Sequence, residues 1–379
     1  MNDDCILLRD FSTVCGQRFG HATLNTPQSL NALSIHMIDL LASKLEVWEG
    51  DPSIIGVLID SSLEKAFCAG GDIQALYQAM KVTPEGVAPQ QAKEFFEREY
   101  RLDYRIHTYP KPILCLGQGI VMGGGVGLMA GASHRIVTPT TRMAMPEITI
   151  GLYPDVGGSW FLRRMPGQVG LFLALTGVPL NAADACFVKL ADFIIDDSSS
   201  RRLLQKIIDT CWETPDQLGN ATNRERLGCL LQGMGASSIV PESPLRTHYD
   251  RINSLIGYNN LETIASRLAA LAGSSDPWLA TAGKNFLYGA PSSARLSWEL
   301  WQKTKHFSLA EVFRIEYDVS VAATVYRDFA EGVRAMLIDK DRNPRWSHTS
   351  IGEVNEVDIA NHFISRSTGP HPLSDLGKS

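Results

Sequence analysis

The sequence feature that most constrains the fold is a glycine-rich stretch without charged residues, at positions 112–133. Part of it has the GxxxG spacing found where transmembrane helices pair, at Gly119, Gly123, Gly127 and Gly131. The stretch also holds a glutamine and further glycines, and its other residues are only moderately apolar, which is a poor match to a membrane span. A buried strand that turns through glycines into a helix explains the same residues. We predict this structure, without a membrane contact.

Composition narrows the class of protein. The 379 residues are 44% hydrophobic and 20% charged, so the chain can bury a large core. The net charge is −6 and Lys and Arg form no cluster, so nucleic acid is not an expected partner. The 7 cysteines include no CxxC pair, which argues for a reducing compartment and against a disulfide framework or a structural zinc site. The N-terminus resembles neither a signal peptide nor a transit segment, which predicts a cytoplasmic protein, or a mitochondrial-matrix protein if the source is eukaryotic.

Strand-like and helix-like segments alternate in the N-terminal half, which indicates an α/β fold. Residues 5–25 predict two short strands joined near Cys15. Residues 33–48 have apolar side chains at helical spacing and predict a helix that Ser34 can cap. Residues 54–60 are rich in β-branched side chains and predict a buried strand.

The chain changes character beyond its middle. An amphipathic helix is predicted at residues 92–107 and one buried strand at residues 112–120. After residue 165, helical spacing dominates and strand signals are few. We therefore divide the chain into an α/β part, residues 1–197, which carries the active site, and a mainly helical part, residues 198–379.

Two glycine turns follow two of the predicted strands, at residues 69–72 (AGGD) and residues 123–125 (GGG). A backbone without side chains at a strand end can direct free N–H groups at a ligand. If the two strands are neighbours, one N–H from each turn can hold a single oxygen atom, as in an oxyanion hole. The alternative is that both turns are merely tight.

A proline-rich segment at residues 143–160 holds two acids, Glu147 and Asp155, each directly after a proline. Two carboxylates on one short stiff loop can divide the roles of general base and orienting group. If they lie close together in an apolar pocket, the pKa of one of them should rise, because like charges resist joint ionisation. The alternatives are that Asp155 caps a helix at residues 156–164 and that Glu147 is a solvated loop acid.

The same glycines permit a second interpretation. Residues 125–130 match GxGxxA, and Glu147 lies 20 positions after Gly127, where a dinucleotide-binding fold has its ribose-binding acid. That acid should end a central strand, yet Pro146 directly precedes it and lacks the backbone donor that a ladder needs. Such a motif also usually opens its domain, whereas several predicted strands come first here. The dinucleotide interpretation therefore fits less well than the oxyanion hole.

Several segments together resemble the enoyl-CoA hydratase/isomerase, or crotonase, superfamily: residues 66–73 (AFCAGGDI), 117–138 (GQGIVMGGGVGLMAGASHRIVT) and 145–164 (MPEITIGLYPDVGGSWFLRR). Within it, the chain is most similar to the 3-hydroxyisobutyryl-CoA hydrolases, to which residues 96–103 (FEREYRLD) and 328–346 (DFAEGVRAMLIDKDRNPRW) add further similarity. The resemblance runs from about residue 5 to about residue 365. It implies a crotonase-like fold, a spiral of ββα units, with a helical C-terminal region that helps to close the CoA cleft.

The resemblance also assigns roles to individual residues. The N–H groups of Gly71 and Gly124 would form the oxyanion hole for a thioester carbonyl. Glu147 matches the family's catalytic acid, and Asp155 matches its partner. Glu99 would add an acid from the preceding helix, and Lys340 would approach a phosphate of CoA. The other implied contacts with CoA run largely through the backbone of Leu30, Ala32, Ala69, Gly70 and Asp72.

The implied reaction is hydrolysis of 3-hydroxyisobutyryl-CoA, or a similar short 3-hydroxyacyl-CoA, in valine breakdown. Glu147 would act either as a general base on water or as a nucleophile that forms a mixed anhydride. Coenzyme A is part of the substrate, and no metal or redox cofactor is expected. The alternatives are a hydratase or isomerase on the same fold, although the first of the hydratases' two glutamates is Gly127 here, and a non-catalytic acyl-CoA binder. The sequence leaves the oligomeric state open between a homo-oligomer and a monomer. The superfamily often forms trimers, but the helical part could cover the same surface within one chain.

Overall fold

The structure, a computed structural model, describes residues 5–236 and 240–378. The chain forms two compact units that interleave along the sequence. The first unit contains Met1–Gly71, Leu102–Met143 and Leu180–Ser243, and the second contains Asp72–Arg101, Ala144–Pro179 and Pro244–Ser379. Neither unit coincides with residues 1–197 or 198–379, so the division at residue 197 stays a prediction about sequence segments.

The secondary structure mixes short strands with many helices. The strands are β1 (Ile6–Ser12), β2 (Arg18–Leu24), β3 (Ile54–Ser61), β4 (Ala66–Cys68), β5 (Ile113–Gly117), β6 (Ile120–Met122), β7 (His134–Val137), β8 (Arg142–Ala144) and β9 (Phe193–Ile194). The α-helices are α1 (Ile35–Gly50), α2 (Ile73–Val82), α3 (Gln90–Thr108), α4 (Gly124–Ala130), α5 (Gly158–Phe161), α6 (Val169–Thr176), α7 (Ala182–Phe187), α8 (Ser200–Ile208), α9 (Gln217–Gln232), α10 (Pro244–Thr247), α11 (Tyr249–Ile256), α12 (Leu261–Ala270), α13 (Pro277–Tyr288), α14 (Pro291–Lys303), α15 (Leu309–Ala323), α16 (Arg327–Val333) and α17 (Glu356–His362).

The first unit is built on a sheet in the order β1-β2-β3-β5-β7-β9. Strands β1 and β2 form an antiparallel hairpin, and each later pair along the sheet is parallel. The hairpin, the strand at residues 54–61 and the helix at residues 35–50 confirm the sequence predictions. The side chain of Ser34 caps that helix by accepting a hydrogen bond from the Met37 N–H. The helix predicted at residues 92–107 is also present, as α3.

The single strand predicted at residues 112–120 is wrong, because two strands occupy this segment. Strand β5 lies in the large sheet, whereas β6 lies in a second sheet in the order β4-β6-β8. The chain turns between them at Gly119, where φ is +62° and a Cβ atom would lie 2.3 Å from the backbone of Lys65. Apolar composition alone could not reveal this turn. The predicted strand–turn–helix is otherwise confirmed, because α4 follows β6 and is buried.

Both faces of the large sheet are covered by helices of the first unit. On one face, Phe19 and Leu58 pack with apolar side chains from α8 and α9, such as Leu203 and Leu227. On the other face, Trp48 of α1 lies directly on Gly20, where any Cβ atom would come within 2.5 Å of the indole ring. The sheet is therefore held in place from both sides, which fixes the ends of its strands.

The second unit is mainly helical. Helix α6 is buried along its whole length, and α15 carries a run of buried residues that includes Glu316 and Ser320. A capping box between Ser308 and Glu311 fixes the start of α15. In the described ranges, 5–236 and 240–378, no helix is both long and apolar enough to cross a bilayer.

A disulfide bond corrects the expectation drawn from the cysteines. Cys15, at the β1–β2 turn, is bonded to Cys211, which follows α8, with a Cα–Cα distance of 5.3 Å. The two residues are 196 positions apart, so spacing along the chain carries no sign of the pair. A hydrogen bond from the Val14 N–H to the Ile208 carbonyl joins the same two segments. The packing of α8 against the hairpin therefore creates the pair.

Candidate active site

The two predicted glycine turns lie side by side in the first unit. They follow the ends of β4 and β6, which are parallel neighbours in the small sheet. Gly70 has φ of +109°, and a Cβ atom there would lie 3.4 Å from the Met122 carbonyl oxygen and 3.9 Å from the Gly124 nitrogen. The sequence prediction that the two turns meet is confirmed, because parallel strands end at the same edge.

Each turn supplies a backbone N–H that could bind an oxygen atom. Gly124 is the first residue of α4, so its N–H has no acceptor within the helix. Among the residues that the structure describes, the Gly71 N–H donates no turn or loop hydrogen bond. Gly125 allows the close approach, since a Cβ atom there would lie 2.7 Å from the Cys68 carbonyl oxygen. This arrangement can form an oxyanion hole.

The segment around Leu30 and Ala32, which is expected to contact CoA, is hydrogen-bonded to the glycine turn at residues 69–72. The Ala69 N–H donates to the Leu30 carbonyl at 3.0 Å, and the Leu33 N–H donates to the Gly70 carbonyl at 2.8 Å. Leu30 and Asn31 both have left-handed backbone conformations. The buried Asn31 side chain holds this bend, because its amide donates to the Phe67 carbonyl at 2.9 Å and its oxygen accepts from the Thr26 N–H at 2.7 Å.

The second unit brings three acids together: Glu99, Glu147 and Asp155. Their exposed fractions are 2%, 5% and 5%, so the alternative of a solvated loop acid is wrong for Glu147. Glu147 opens a 3₁₀ helix, Glu147–Ile150, directly after Pro146. Gly151 closes that helix with φ of +75°, and a Cβ atom there would lie 2.2 Å from the Asp328 carbonyl oxygen. The position of Glu147 is therefore fixed on both sides by backbone geometry.

Burial dominates the electrostatics of these acids. It raises the pKa of Glu147 well above its usual value, and the negative charges of Asp155 and Glu99 raise it further. Burial and the charge of Asp155 likewise raise the pKa of Glu99. Burial raises the pKa of Asp155 to about 6, against the opposing effect of a hydrogen bond from Tyr100. The predicted rise of a pKa in the Glu147–Asp155 pair therefore follows from burial first and from like charge second.

Two oxygens of this cluster have no hydrogen-bond partner within residues 5–236 and 240–378. They are Oε2 of Glu147 and Oε1 of Glu99, and both are buried. Buried polar atoms normally have a partner, because leaving one without costs free energy. These two oxygens therefore keep an unused capacity for a hydrogen bond.

Four further residues support the cluster, and none was assigned a role from the sequence. The Tyr100 hydroxyl lies 2.6 Å from Oδ2 of Asp155, within hydrogen-bond distance. Ser320 lies 2.7 Å from the Tyr100 hydroxyl and 2.8 Å from the Tyr153 hydroxyl. Tyr100 and Tyr153 lie within the motifs that carry the family resemblance, and this position was the sequence signal that could have identified them. Ser320 and Glu316 lie on a helix that is distant in sequence and carries no motif.

The helix-capping alternative for Asp155 is wrong, and Glu316 explains why. Helix α5 begins after Gly157, and no side chain of its own segment caps it. Instead, the Glu316 carboxylate accepts the N–H of Gly157 at 2.7 Å and the N–H of Ser159 at 2.8 Å. Burial raises the pKa of Glu316 to about 8, although these hydrogen bonds oppose the rise. Asp155 is therefore free to face the other acids.

The remaining predicted residues have local roles. Asp72 caps α2, because its side chain accepts from the Ala75 N–H. The C-terminal motif packs on the Glu147 segment, since a Cβ atom on Gly332 would lie 2.3 Å from the Ile150 backbone. Lys340 is exposed in a loop beside Arg334, which forms ion pairs with Asp339 and Asp341. In the part of the chain that the structure describes, no group of acidic, His or Cys side chains is arranged to hold a metal ion.

Comparison with known proteins gives the family. A family model described as enoyl-CoA hydratase/isomerase matches residues 19–363. The chain belongs to the enoyl-CoA hydratase/isomerase family. The family's curated proteins include relatives named 3-hydroxyisobutyryl-CoA hydrolase, mitochondrial, from Gallus gallus, 35% identical, and from Homo sapiens, 36% identical. Each match covers 91% of this chain and 86% of the relative.

Solved structures agree on the fold. A structure titled as a carnitinyl-CoA dehydratase from Mycobacterium thermoresistibile is 32% identical, covers 100% of both chains and has a TM-score of 0.84. Another, titled as an enoyl-CoA hydratase from Rhodobacter sphaeroides, is 33% identical, covers 96% of this chain and 98% of its own, and has a TM-score of 0.80. The fold is crotonase-like, as the resemblance implied. The dinucleotide interpretation is wrong, because Glu147 opens a 3₁₀ helix instead of ending a central strand.

Proposed function

We propose that this protein hydrolyses the thioester of 3-hydroxyisobutyryl-CoA, or of a similar short 3-hydroxyacyl-CoA, to the free acid and CoA. The observation that carries the proposal is the buried acid cluster, in which Glu147 keeps one oxygen without a partner among the described residues. The names of the curated relatives support the same substrate class. The product would be 3-hydroxyisobutyrate, an intermediate of valine breakdown.

The proposed mechanism gives each group one task. The backbone N–H groups of Gly71 and Gly124 bind the thioester oxygen and stabilise the charge that develops on it. Glu147 acts on the carbonyl carbon, either through a water molecule from which it takes a proton or directly. The C–S bond then breaks, and CoA leaves as the thiol once its sulfur has been protonated. Asp155 orients Glu147, the water or the substrate hydroxyl, Glu99 adds an acid from the preceding helix, and Lys340 approaches a CoA phosphate.

A Glu147→Gln substitution tests the assignment. The amide keeps the shape of the side chain but cannot take a proton or attack, so we expect turnover to fall about 10²–10⁴-fold. Release of CoA from 3-hydroxyisobutyryl-CoA is followed with a thiol reagent, and binding of the unreacted ester is measured by calorimetry. The exposed Glu225 provides the matched control, Glu225→Gln, which should keep full turnover. Full turnover by Glu147→Gln would remove Glu147 from the mechanism.

A hydratase is the second candidate, because the two similar structures are titled as an enoyl-CoA hydratase and a carnitinyl-CoA dehydratase. The two activities give different signals with crotonyl-CoA. A hydratase consumes the absorbance of the conjugated double bond without releasing a thiol. A thioesterase releases CoA, and a non-catalytic binder gives neither signal. Loss of absorbance without thiol release, at a rate above that on 3-hydroxyisobutyryl-CoA, would replace the hydrolase proposal.

Isotope labelling separates the two roles open to Glu147. In a single turnover in ¹⁸O-water, general-base catalysis places the label in the product acid at once. An anhydride formed by Glu147 and opened by water at the glutamyl carbon gives an unlabelled product first and leaves the label on Glu147. Mass spectrometry of the product and of the peptide that contains Glu147 distinguishes the two routes.

A further inference from the structure

We propose that a chain of three buried hydroxyl groups holds a proton on Asp155, so that Asp155 is a proton donor in the resting protein. The hydroxyl chain consists of the side chains of Tyr100, Ser320 and Tyr153. These residues are positioning residues, since they act through Asp155. None of them was assigned a role by the family resemblance, and all three lie in the second unit.

The hydroxyl chain makes four short contacts in a row. Oδ2 of Asp155 lies 2.6 Å from the Tyr100 hydroxyl, which lies 2.7 Å from Oγ of Ser320. Oγ of Ser320 lies 2.8 Å from the Tyr153 hydroxyl, which lies 2.7 Å from the backbone carbonyl oxygen of Glu316. All of these distances lie in the normal range for an O–H···O hydrogen bond. Each contact therefore needs one proton.

The number of protons in the hydroxyl chain determines the protonation state that it requires of Asp155. The three hydroxyl groups bring three protons to four contacts, and the carbonyl oxygen of Glu316 at the far end can only accept. A fourth proton must enter at the near end, from the carboxyl group of Asp155. With that proton in place, Asp155 donates to Tyr100, Tyr100 to Ser320, Ser320 to Tyr153, and Tyr153 to Glu316. Every contact is then satisfied.

When Asp155 is ionised, the hydroxyl chain has three protons for its four hydrogen-bond contacts. Tyr100 then donates to the carboxylate, and Ser320 donates to Tyr100. The hydroxyl of Tyr153 must serve both Ser320 and the Glu316 carbonyl, which weakens both contacts. The side chains of Tyr100, Tyr153 and Ser320 are fully buried, so bulk water does not supply the missing donor.

Several titratable groups face Asp155, and its negative charge raises the pKa of each of them. Glu99 and Tyr100 face it from α3, Glu147 from the 3₁₀ helix, Tyr153 from its own loop, and Glu316 from α15. Because like charges resist joint ionisation, Glu147 and Asp155 keep one proton between them, and in this proposal the hydroxyl chain holds that proton on Asp155 and leaves Glu147 ionised. Burial raises the pKa of Asp155 to about 6, whereas hydrogen bonds from the Tyr100 hydroxyl and from the Asp155 backbone act in the opposite direction. The proton count of the whole chain adds to the effect of burial.

A proton-bearing Asp155 has a use in the proposed reaction. In the general-base route, Glu147 takes a proton from water as the C–O bond forms, and the departing sulfur needs a proton as the C–S bond breaks. Asp155 supplies that proton, after which Tyr100 donates to the new carboxylate. The proton on Glu147 then returns to Asp155, so that protons balance over one turnover. This link to turnover rests on the proposed function, whereas the proton count does not.

The test is to remove the hydroxyl groups one at a time. Tyr153→Phe and Ser320→Ala shorten the chain and end the proton deficit of the ionised state, so the pKa of Asp155 should fall by roughly one unit. Tyr100→Phe removes the donor to the carboxylate, so the pKa should rise. The pKa is read by NMR titration of protein with ¹³C-carboxyl aspartate, in which Asp155→Asn identifies the signal.

Tyr109→Phe is the matched control, because Tyr109 is another buried tyrosine whose hydroxyl donates to a backbone carbonyl, that of Leu45 at 2.7 Å. It should leave the pKa of Asp155 unchanged. Shifts of one sign in all three chain variants, or no shifts, would overturn the proposal, because a general loss of packing cannot move the pKa in opposite directions.

The pH dependence of kcat/KM is a second measurement, and it tests whether the hydroxyl chain affects catalysis. If Asp155 must be protonated, kcat/KM for thioester cleavage falls as pH rises through its pKa. That fall should move to lower pH in Tyr153→Phe and Ser320→Ala and to higher pH in Tyr100→Phe. Opposite NMR shifts in a protein without thioesterase activity would contradict the proposed function and leave the hydroxyl chain standing.

Discussion

At the scale of single residues, one buried carboxylate organises the backbone next to the acid cluster. Glu316 is fully buried and binds two backbone N–H groups, of Gly157 and Ser159. A carboxylate offers an acceptor to each of them, and no acceptor within their own segment replaces it. The start of α5 therefore depends on a residue that lies about 160 positions away in the sequence.

A Glu316→Gln substitution tests this dependence. The amide nitrogen of Gln cannot accept a hydrogen bond, so one of the two N–H groups loses its partner. We expect the free energy of unfolding to fall by about 1–3 kcal/mol, measured by urea denaturation. The exposed Glu225→Gln control should change it by less than about 0.5 kcal/mol. Equal urea midpoints for both variants would show that Glu316 does not hold this segment.

At the scale of elements, the start of α4 supplies one of the two N–H groups of the predicted oxyanion hole. Gly123 precedes the helix with a backbone conformation that favours glycine, and Gly124 is its first residue. Proline is compatible with a first helical position, because the N–H there is not used within the helix. The helix can therefore lose this N–H and still form.

Gly124→Pro removes the N–H, whereas Gly124→Ala retains it and serves as the matched control. We expect kcat/KM for thioester cleavage to fall about 10²–10³-fold further in the proline variant than in the alanine variant. Circular dichroism and urea denaturation of both variants establish that they are folded. Similar kcat/KM values in the two folded variants would exclude the Gly124 N–H from the oxyanion hole.

Elements were predictable where their signals are local. The first hairpin, α1, β3 and α3 follow from side-chain periodicity and a capping residue, which neighbouring residues determine. The break between β5 and β6 was missed, because both strands are apolar and the turn at Gly119 is required by the approach of Lys65 from elsewhere in the chain. Periodicity cannot report such a contact.

At the scale of the whole chain, the bond between Cys15 and Cys211 joins two segments of the first unit and closes a loop of the chain with a sequence separation of 196. Such a bond restricts the unfolded chain and thereby stabilises the folded one. We expect Cys15→Ser to lower the free energy of unfolding by about 2–5 kcal/mol and to leave thioester cleavage unchanged. Cys229→Ser, at an exposed free cysteine, is the control and should change neither.

Thiol titration checks the same bond directly. Of the 7 cysteines, two are bonded, so the denatured, unreduced protein should titrate five thiols. Seven thiols before reduction, together with an unchanged urea midpoint for Cys15→Ser, would contradict the bond. Oligomeric state and location in the cell stay predictions, and the relatives named above are described as mitochondrial.

The sequence by itself determined the local elements and the two glycine turns, because each depends on residues that are close together in the chain. It also predicted Glu147 and Asp155 as paired acids from one short loop, and Glu99 through the family resemblance. The tertiary structure decided which buried polar atoms meet. Tyr100 and Tyr153 reach Ser320 from about 220 and 170 positions away, and Cys15 reaches Cys211 in the same manner. Buried polar groups must find partners wherever packing brings them, and packing joins elements without regard to their distance in sequence.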